Sequence, residues 1–280
     1  MRGSLFPGRT FCISSSSSRR ASFSASFSFT LVVAVVSGMI EKAAFLNKSW
    51  NYSANPMPER RKLAAYTLPM VTFLALLALN SALKKIDNLF WLSSAEYWLY
   101  PTQAILCGGL LIWFHHEYDF DRLRRPFFAG FVAVVVFLVW ISPQAFLGFS
   151  PRTLGFNPDI FARQSPLYWF TIIFRFLRLV VVVPFIEEIF WRGFLLRFLV
   201  DENFGRVRFG TFSWLSFAVV TLGFGFSHAA ADWPAALLTG MLYNGVAYRT
   251  KSLSSCILTH AVTNLLLGLW IMKTKQWGFW

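Results

Sequence analysis

Apolar residues run in long blocks along this chain, and polar residues gather in short clusters between the blocks. Blocks of about 20 residues match a bilayer, because a helix rising about 1.5 Å per residue then crosses about 30 Å of hydrocarbon. The pattern predicts a first span over residues 63–83, behind Arg60, Arg61 and Lys62, and a second over 97–114 that ends at the polar run HHEYDFDRLRR. A third span covers 126–149, and the Pro- and Gly-punctuated stretch SPRTLGFNPDIFARQSP after it reads as a loop. A fourth starts near Pro166 and a fifth covers 211–231. The sixth begins at Asp232-Trp233-Pro234, where Asp suits an N-cap and Pro the first turn, and the seventh covers 252–272. The expected fold is all-α: a polytopic membrane helical bundle of about seven transmembrane helices, or eight if the shorter apolar patch 29–40 also spans.

Composition sharpens this reading. Hydrophobic residues make up 56% of the chain and charged residues only 14%, which excludes an ordinary soluble domain. The net charge of +13 does not imply a nucleic-acid partner, because the basic residues sit in loops, where positive charge orients membrane helices. With the start of the first span inside, eleven Lys and Arg fall in inner loops and six in outer ones. Cys12, Cys107 and Cys256 lie far apart and suggest neither a zinc knuckle nor a disulfide framework. Residues 1–30 hold ten Ser, four Arg and no acidic residue, the composition of an organellar address; a true start at Met39 or Met57 is the alternative. Residues 1–58 are therefore set apart as an extension, 59–160 as N-terminal helices and 161–275 as the core. The expected location is a multi-pass bacterial inner-membrane protein, or a plastid-type organellar one if the extension is native.

The fourth helix breaks the apolar rule. VVVPFIEEIFWRGFLLR places Glu187, Glu188 and Arg192 in a run of Val, Ile, Phe, Leu and Trp, where a charge costs about 2.5–3.5 kcal/mol on insertion scales. Residues four apart share a helix face and adjacent ones diverge by about 100°. Arg192 therefore neutralises Glu188, while Glu187 faces an apolar wall with Phe190 and Trp191 one turn on. That separates a general base, Glu187, from a structural anion, Glu188. His228, at the end of FGFSH, shares a face with Phe224, and His260 shares one with Asn264. For His228 to reach the depth of the Glu pair, the fifth helix must start late, tilt or end inside the membrane. A histidine or asparagine in such a helix can also simply bond a neighbouring helix. Arg175 and Arg178 are expected to snorkel or to meet headgroups.

The ordered set EExxxR (Glu187, Glu188, Arg192), FxxxH (Phe224, His228) and HxxxN (His260, Asn264), on consecutive helices, resembles the CAAX prenyl protease-related membrane peptidases. These are also called CPBP intramembrane metalloproteases, and include the type II CAAX prenyl endopeptidases. The resemblance covers roughly residues 165–270. It implies an endopeptidase that hydrolyses a peptide bond of a membrane-anchored, in some cases prenylated, protein or peptide. Carried over by position, Glu187 activates the attacking water and His228 helps hold it. His260 and Asn264 stabilise the oxyanion, and Glu188 with Arg192 shape the site.

Cofactor use stays open between two options. No HExxH is present, yet Glu187, His228 and His260 could supply a three-ligand zinc site with an open water position. A metal-free glutamate mechanism uses the same residues. Two other classes would also bury such groups: an ion-coupled transporter, which predicts broken helices in two matching halves, and a catalytically silent scaffold, which predicts that every polar side chain pairs off. The confinement of the polar residues to the C-terminal half counts against the transporter.

Overall fold

The computed structural model describes residues 60–86 and 89–280. The 1–58 extension, its apolar patch and Cys12 lie outside the described residues. The described residues are all-helical: α1 (Arg60–Leu83), α2 (Phe90–Ser93), α3 (Glu96–Trp113), α4 (Pro126–Ala145), α5 (Pro166–Phe198), α6 (Trp214–Phe226), α7 (Trp233–Thr250) and α8 (Leu253–Thr274). Four of them, α1, α4, α5 and α8, are each long and apolar enough to cross a bilayer. The other longer helices complete the bundle. They carry polar residues that the bundle buries, including Gln103 on α3 and Thr239 and Asn244 on α7.

Helix α5 occupies the centre. Its segments touch α1, α3, α6 and α8, while α8 lies along α4 and α7 packs on α6 and α4. From Glu188 to Arg197 every residue of α5 is buried, as expected of a helix surrounded on all sides. Its start is set by Ser165, whose hydroxyl accepts from the Tyr168 N–H at 3.2 Å, with Pro166 in the first turn. Close approach needs glycine at two points. A Cβ on Gly193 would stand 3.0 Å from the Tyr66 ring of α1, and one on Gly240 would stand 3.2 Å from Thr221 O of α6.

Two stretches of α5, Leu177–Val182 and Ile189–Leu195, are π-helical. The first has a cause in the sequence. The Val183 N–H donates to Arg178 O, five residues back. The next bond in that register would need an N–H on Pro184, which has none. Leu179 O is thereby orphaned, and Asn264 Nδ2 of α8 donates to it at 2.8 Å.

Two expected features differ. The fifth span shortens to Trp214–Phe226, 13 residues, or about 20 Å at 1.5 Å per residue, and the chain then turns through Ser227 and His228 into a short 3-10 segment, Ala230–Asp232. Asp232 makes no side-chain cap on α7; its carboxylate pairs with Arg152 at 2.6 Å. An Arg partner from the connector outcompetes the two amides that the cap would have satisfied.

The start of α8 is stitched to the 121–125 loop by the SLSS sequence. The Ser252, Ser254 and Ser255 hydroxyls donate to the carbonyls of Arg122, Asp121 and Arg124 at 2.9, 2.6 and 2.7 Å. Three short bonds fix the height of α8, and with it His260 and Asn264, relative to α4.

Candidate functional site

Glu188 and Arg192 are fully buried and meet at 3.0 Å. Arg192 is used on every side. Its Nε donates to Asn244 Oδ1 at 3.1 Å and its Nη2 to Gly240 O at 3.4 Å, while its plane stacks on Phe224 at 4.7 Å and Tyr243 at 5.3 Å. Asn244 passes the network on, donating to Thr221 Oγ1 at 3.1 Å. Hydrogen bonds of this kind offset part of the desolvation cost that a bare buried ion pair carries.

His260, 5% exposed, directs Nδ1 at the same Glu188 oxygen at 2.9 Å. A carboxylate accepts only, so this nitrogen carries the proton and donates. The contact sets the rotation of the ring, and Tyr243 packs beside it with centroids 5.1 Å apart. His228 sits one turn past the helical part of α6. Its Nδ1 donates to Phe224 O at 2.8 Å, which makes Nε2 the nitrogen with the lone pair. The Phe224 ring lies 4.8 Å from His228 and 6.4 Å from His260, and the Trp140 ring lies 5.6 Å from His228. Trp233 Nε1 donates to His228 O at 3.1 Å and pins the turn. Phe224 is thus the hub that brings Arg192, His228 and His260 to one place.

Glu187 behaves differently from its neighbour. It is partly exposed, it makes no ion pair among the described residues, and its buried Oε2 has no hydrogen-bond partner. Glu188 Oε2 also has none, but Glu188 Oε1 is shared by two donors. Asn264 is committed through one N–H to Leu179 O, so it joins α8 to α5 at the helix irregularity above Glu187.

Among the described residues, no three His, Cys, Asp or Glu side chains are gathered as a metal site. Glu187, His228 and His260 are not gathered as such a group, although an imidazole whose Nδ1 donates to a carbonyl or carboxylate, as both do here, is held in the way a ligating histidine is held.

Sequence reasoning missed Tyr243, Asn244 and Thr221, which hold Arg192 and His260 in place. The signal was there: Asn244 is an amide in the apolar helix GMLYNGVAY, four residues after Gly240. Such a group needs a buried partner. A second reading is corrected outright. Arg175 and Arg178 do not snorkel, being 3% and 6% exposed and covered by aromatic rings.

The fold and site define an integral membrane protein with a polar centre built around one charged helix. Residues 169–266 match the family model described as Type II CAAX prenyl endopeptidase Rce1-like, so this segment is similar to a domain of that kind. The matched stretch contains Glu187, Glu188, Arg192, Phe224, His228, His260 and Asn264. Comparisons with curated proteins and with solved structures gave no match.

Proposed function

We propose that the protein is an intramembrane endopeptidase that hydrolyses a peptide bond of a membrane-anchored protein with water activated by Glu187. The observation that supports this most is the division of labour between adjacent carboxylates. Each carboxylate keeps a buried Oε2 without a partner, but Glu188 Oε1 is shared by Arg192 and His260, whereas Glu187 makes no ion pair among the described residues. A silent scaffold would have tied down both carboxylates.

In this reading Glu187 takes a proton from water as the oxygen attacks the scissile carbonyl carbon. The carbonyl π electrons move to its oxygen, giving a tetrahedral oxyanion. His260, oriented by Glu188, and the remaining N–H of Asn264 face that charge, and His228 holds the water through Nε2. Glu187 then delivers its proton to the departing amine nitrogen and the C–N bond breaks. Preorganised donors and a positioned base are what amide hydrolysis requires.

The test is turnover of fluorogenic membrane-anchored peptides, prenylated and unprenylated, by the purified chain. Glu187→Gln is expected to lower kcat by about 10²–10⁴, the usual worth of a general base, with no loss of unfolding temperature. Equal turnover by both proteins overturns the assignment. A chelator arm decides whether a divalent ion takes part.

A further inference from the structure

His228 does not stand on a helix. Helix α6 ends at Phe226, and the residue is carried by the turn 227–232, whose last part is the 3-10 segment Ala230–Asp232. That turn reads SHAAAD, and its three alanines are exposed, so they offer neither a polar nor a bulky group to anchor it. Asp232 anchors it instead, giving up the cap it could have made on α7. Its carboxylate meets Arg152 Nη1 of the connector at 2.6 Å, and Arg152 Nη2 donates to Ala231 O at 3.5 Å. The pair is mostly shielded, with side chains 21% and 16% exposed, so water and salt screen it less than an open surface pair.

Arg152 is itself held by residues 276–280. Its N–H donates to Gln276 Oε1 at 3.2 Å, its carbonyl accepts from the Gly278 N–H at 2.9 Å, and its guanidinium lies over the Phe279 ring at 4.5 Å. The two segments approach closely enough to need glycine on both sides. A Cβ on Gly278 would stand 2.9 Å from Arg152 Cβ, and one on Gly155 would collide with Trp277 O. Trp277 packs with Ile141 of α4 and with Leu267 and Ile271 of α8. The same two helices supply the surroundings of His228: Trp140 of α4, whose ring lies 5.6 Å away, and His260 of α8. Contacts therefore run from the ends of α4 and α8 through Trp277, Gly278 and Arg152 to the turn that carries His228.

We infer that Arg152 is a positioning residue for His228: through Asp232 and Ala231 it holds the turn so that the imidazole faces the water that Glu187 activates. The inference rests on the peptidase reading above, from which that water comes. A side chain within a helix takes its place from the backbone ladder, whereas one on a turn depends on what clasps the turn. His260 needs no such clasp, because it lies inside α8 and takes its rotation from Glu188 at 2.9 Å. A displacement of about 1 Å at a reacting centre, caused far from the chemistry, costs up to ~10²-fold in rate. A connector residue can therefore govern turnover without touching substrate.

The test uses the full chain in phosphatidylcholine nanodiscs, with histidine Cε1 labelled for NMR, beside turnover of a fluorogenic lipid-anchored peptide. Four histidines give four ring signals, and His228→Gln and His260→Gln identify the two that matter. Phe224 and Trp140 lie 4.8 and 5.6 Å from His228, so their ring currents make its signal sensitive to small displacements. Arg152→Gln is expected to move the His228 signal, leave the His260 signal in place, and lower kcat at least about tenfold with KM unchanged. Asp232→Asn should do the same, and the double variant no more than either alone, because both break one contact. Arg152→Lys, which keeps the charge, should recover most of both readouts. An unmoved His228 signal in Arg152→Gln overturns the inference. So does movement of both histidine signals together, since the ion pair then supports the fold at large. Native kcat in Arg152→Gln, where the native chain is active, overturns it as well. A native chain that cleaves no peptide sinks the peptidase reading, while a moved His228 signal still upholds the clasp.

Discussion

Helix α5 buries charge in two places and treats it in opposite ways. Around Arg192 every nitrogen has an acceptor: Glu188 from the same helix, Asn244 and Gly240 from α7, with two rings against the guanidinium. Around Arg175 and Arg178 there are rings and one amide, and neither forms an ion pair among the described residues. The first arrangement is closed by charged and polar partners from three helices, with Glu188 Oε2 left over. The second rests on ring faces and a single amide. Glu187 sits between them in sequence, and its buried Oε2, like that of Glu188, lacks a hydrogen-bond partner.

The sharpest way to break the contrast is to remove one arginine from each cluster. Arg192→Met leaves Glu188 buried with its strongest partner gone, and is expected to cost about 3–5 kcal/mol in a denaturing-detergent unfolding titration. Arg175→Met removes a buried charge that forms no ion pair among the described residues, so in the same titration stability should stay level or rise. Comparable losses in the two proteins would mean that both clusters are architectural.

A middle-sized effect tests the seam between α5 and α8. Asn264→Leu strands Leu179 O and is expected to cost about 1–3 kcal/mol. Pro184→Ala restores the N–H that this carbonyl lacks, so the same substitution should cost clearly less in that background. Additive losses would show that Asn264 stabilises the seam by some other contact.

The smallest effect lies outside the membrane, in the connector that leads into α5. Asp159 accepts two bonds from Arg163 at 3.2 Å and approaches Lys275 at 3.3 Å, and these cations, Arg163 foremost, hold its carboxyl below the ordinary range. A depressed carboxyl stabilises the fold above its unfolded value of about 4, and that contribution disappears as pH falls through the folded value. The unfolding temperature should therefore drop slightly more steeply below about pH 4 in the native chain than in Asp159→Asn. Parallel curves would show that the connector adds nothing to stability.

Much of the site was legible before any coordinates, because a carboxylate pair inside VVVPFIEEIFWRGF has no cheap explanation and helix spacing alone assigns Glu188 to Arg192. The shortening of α6 was foreshadowed too: for His228 to reach the centre the helix had to start late, tilt or end inside the membrane, and α6 starts at Trp214 and ends at Phe226. The fate of Arg175 and Arg178 was not legible. Snorkelling and burial begin from the same sequence, and which one occurs depends on whether Tyr100, Phe156 and Trp280, remote in the chain, fold over the guanidinium. The role of Asn244 was hidden for the same reason, since its partner Arg192 lies 52 residues away on another helix.

What this sequence determined by itself is therefore local: helices from unbroken apolar blocks, the pairing of Glu188 with Arg192 from a spacing of four, and an irregular turn of α5 from Pro184. Only the tertiary structure decided which charges are satisfied. Partners such as Asn244, His260, Gln103 and Asn264 come from other helices, and their approach depends on helix heights set by loop contacts such as the serine bonds at the start of α8. Covalent order dictates which residues share a helix face. Whether a buried charge is paired or rests on ring faces is a property of the packed bundle.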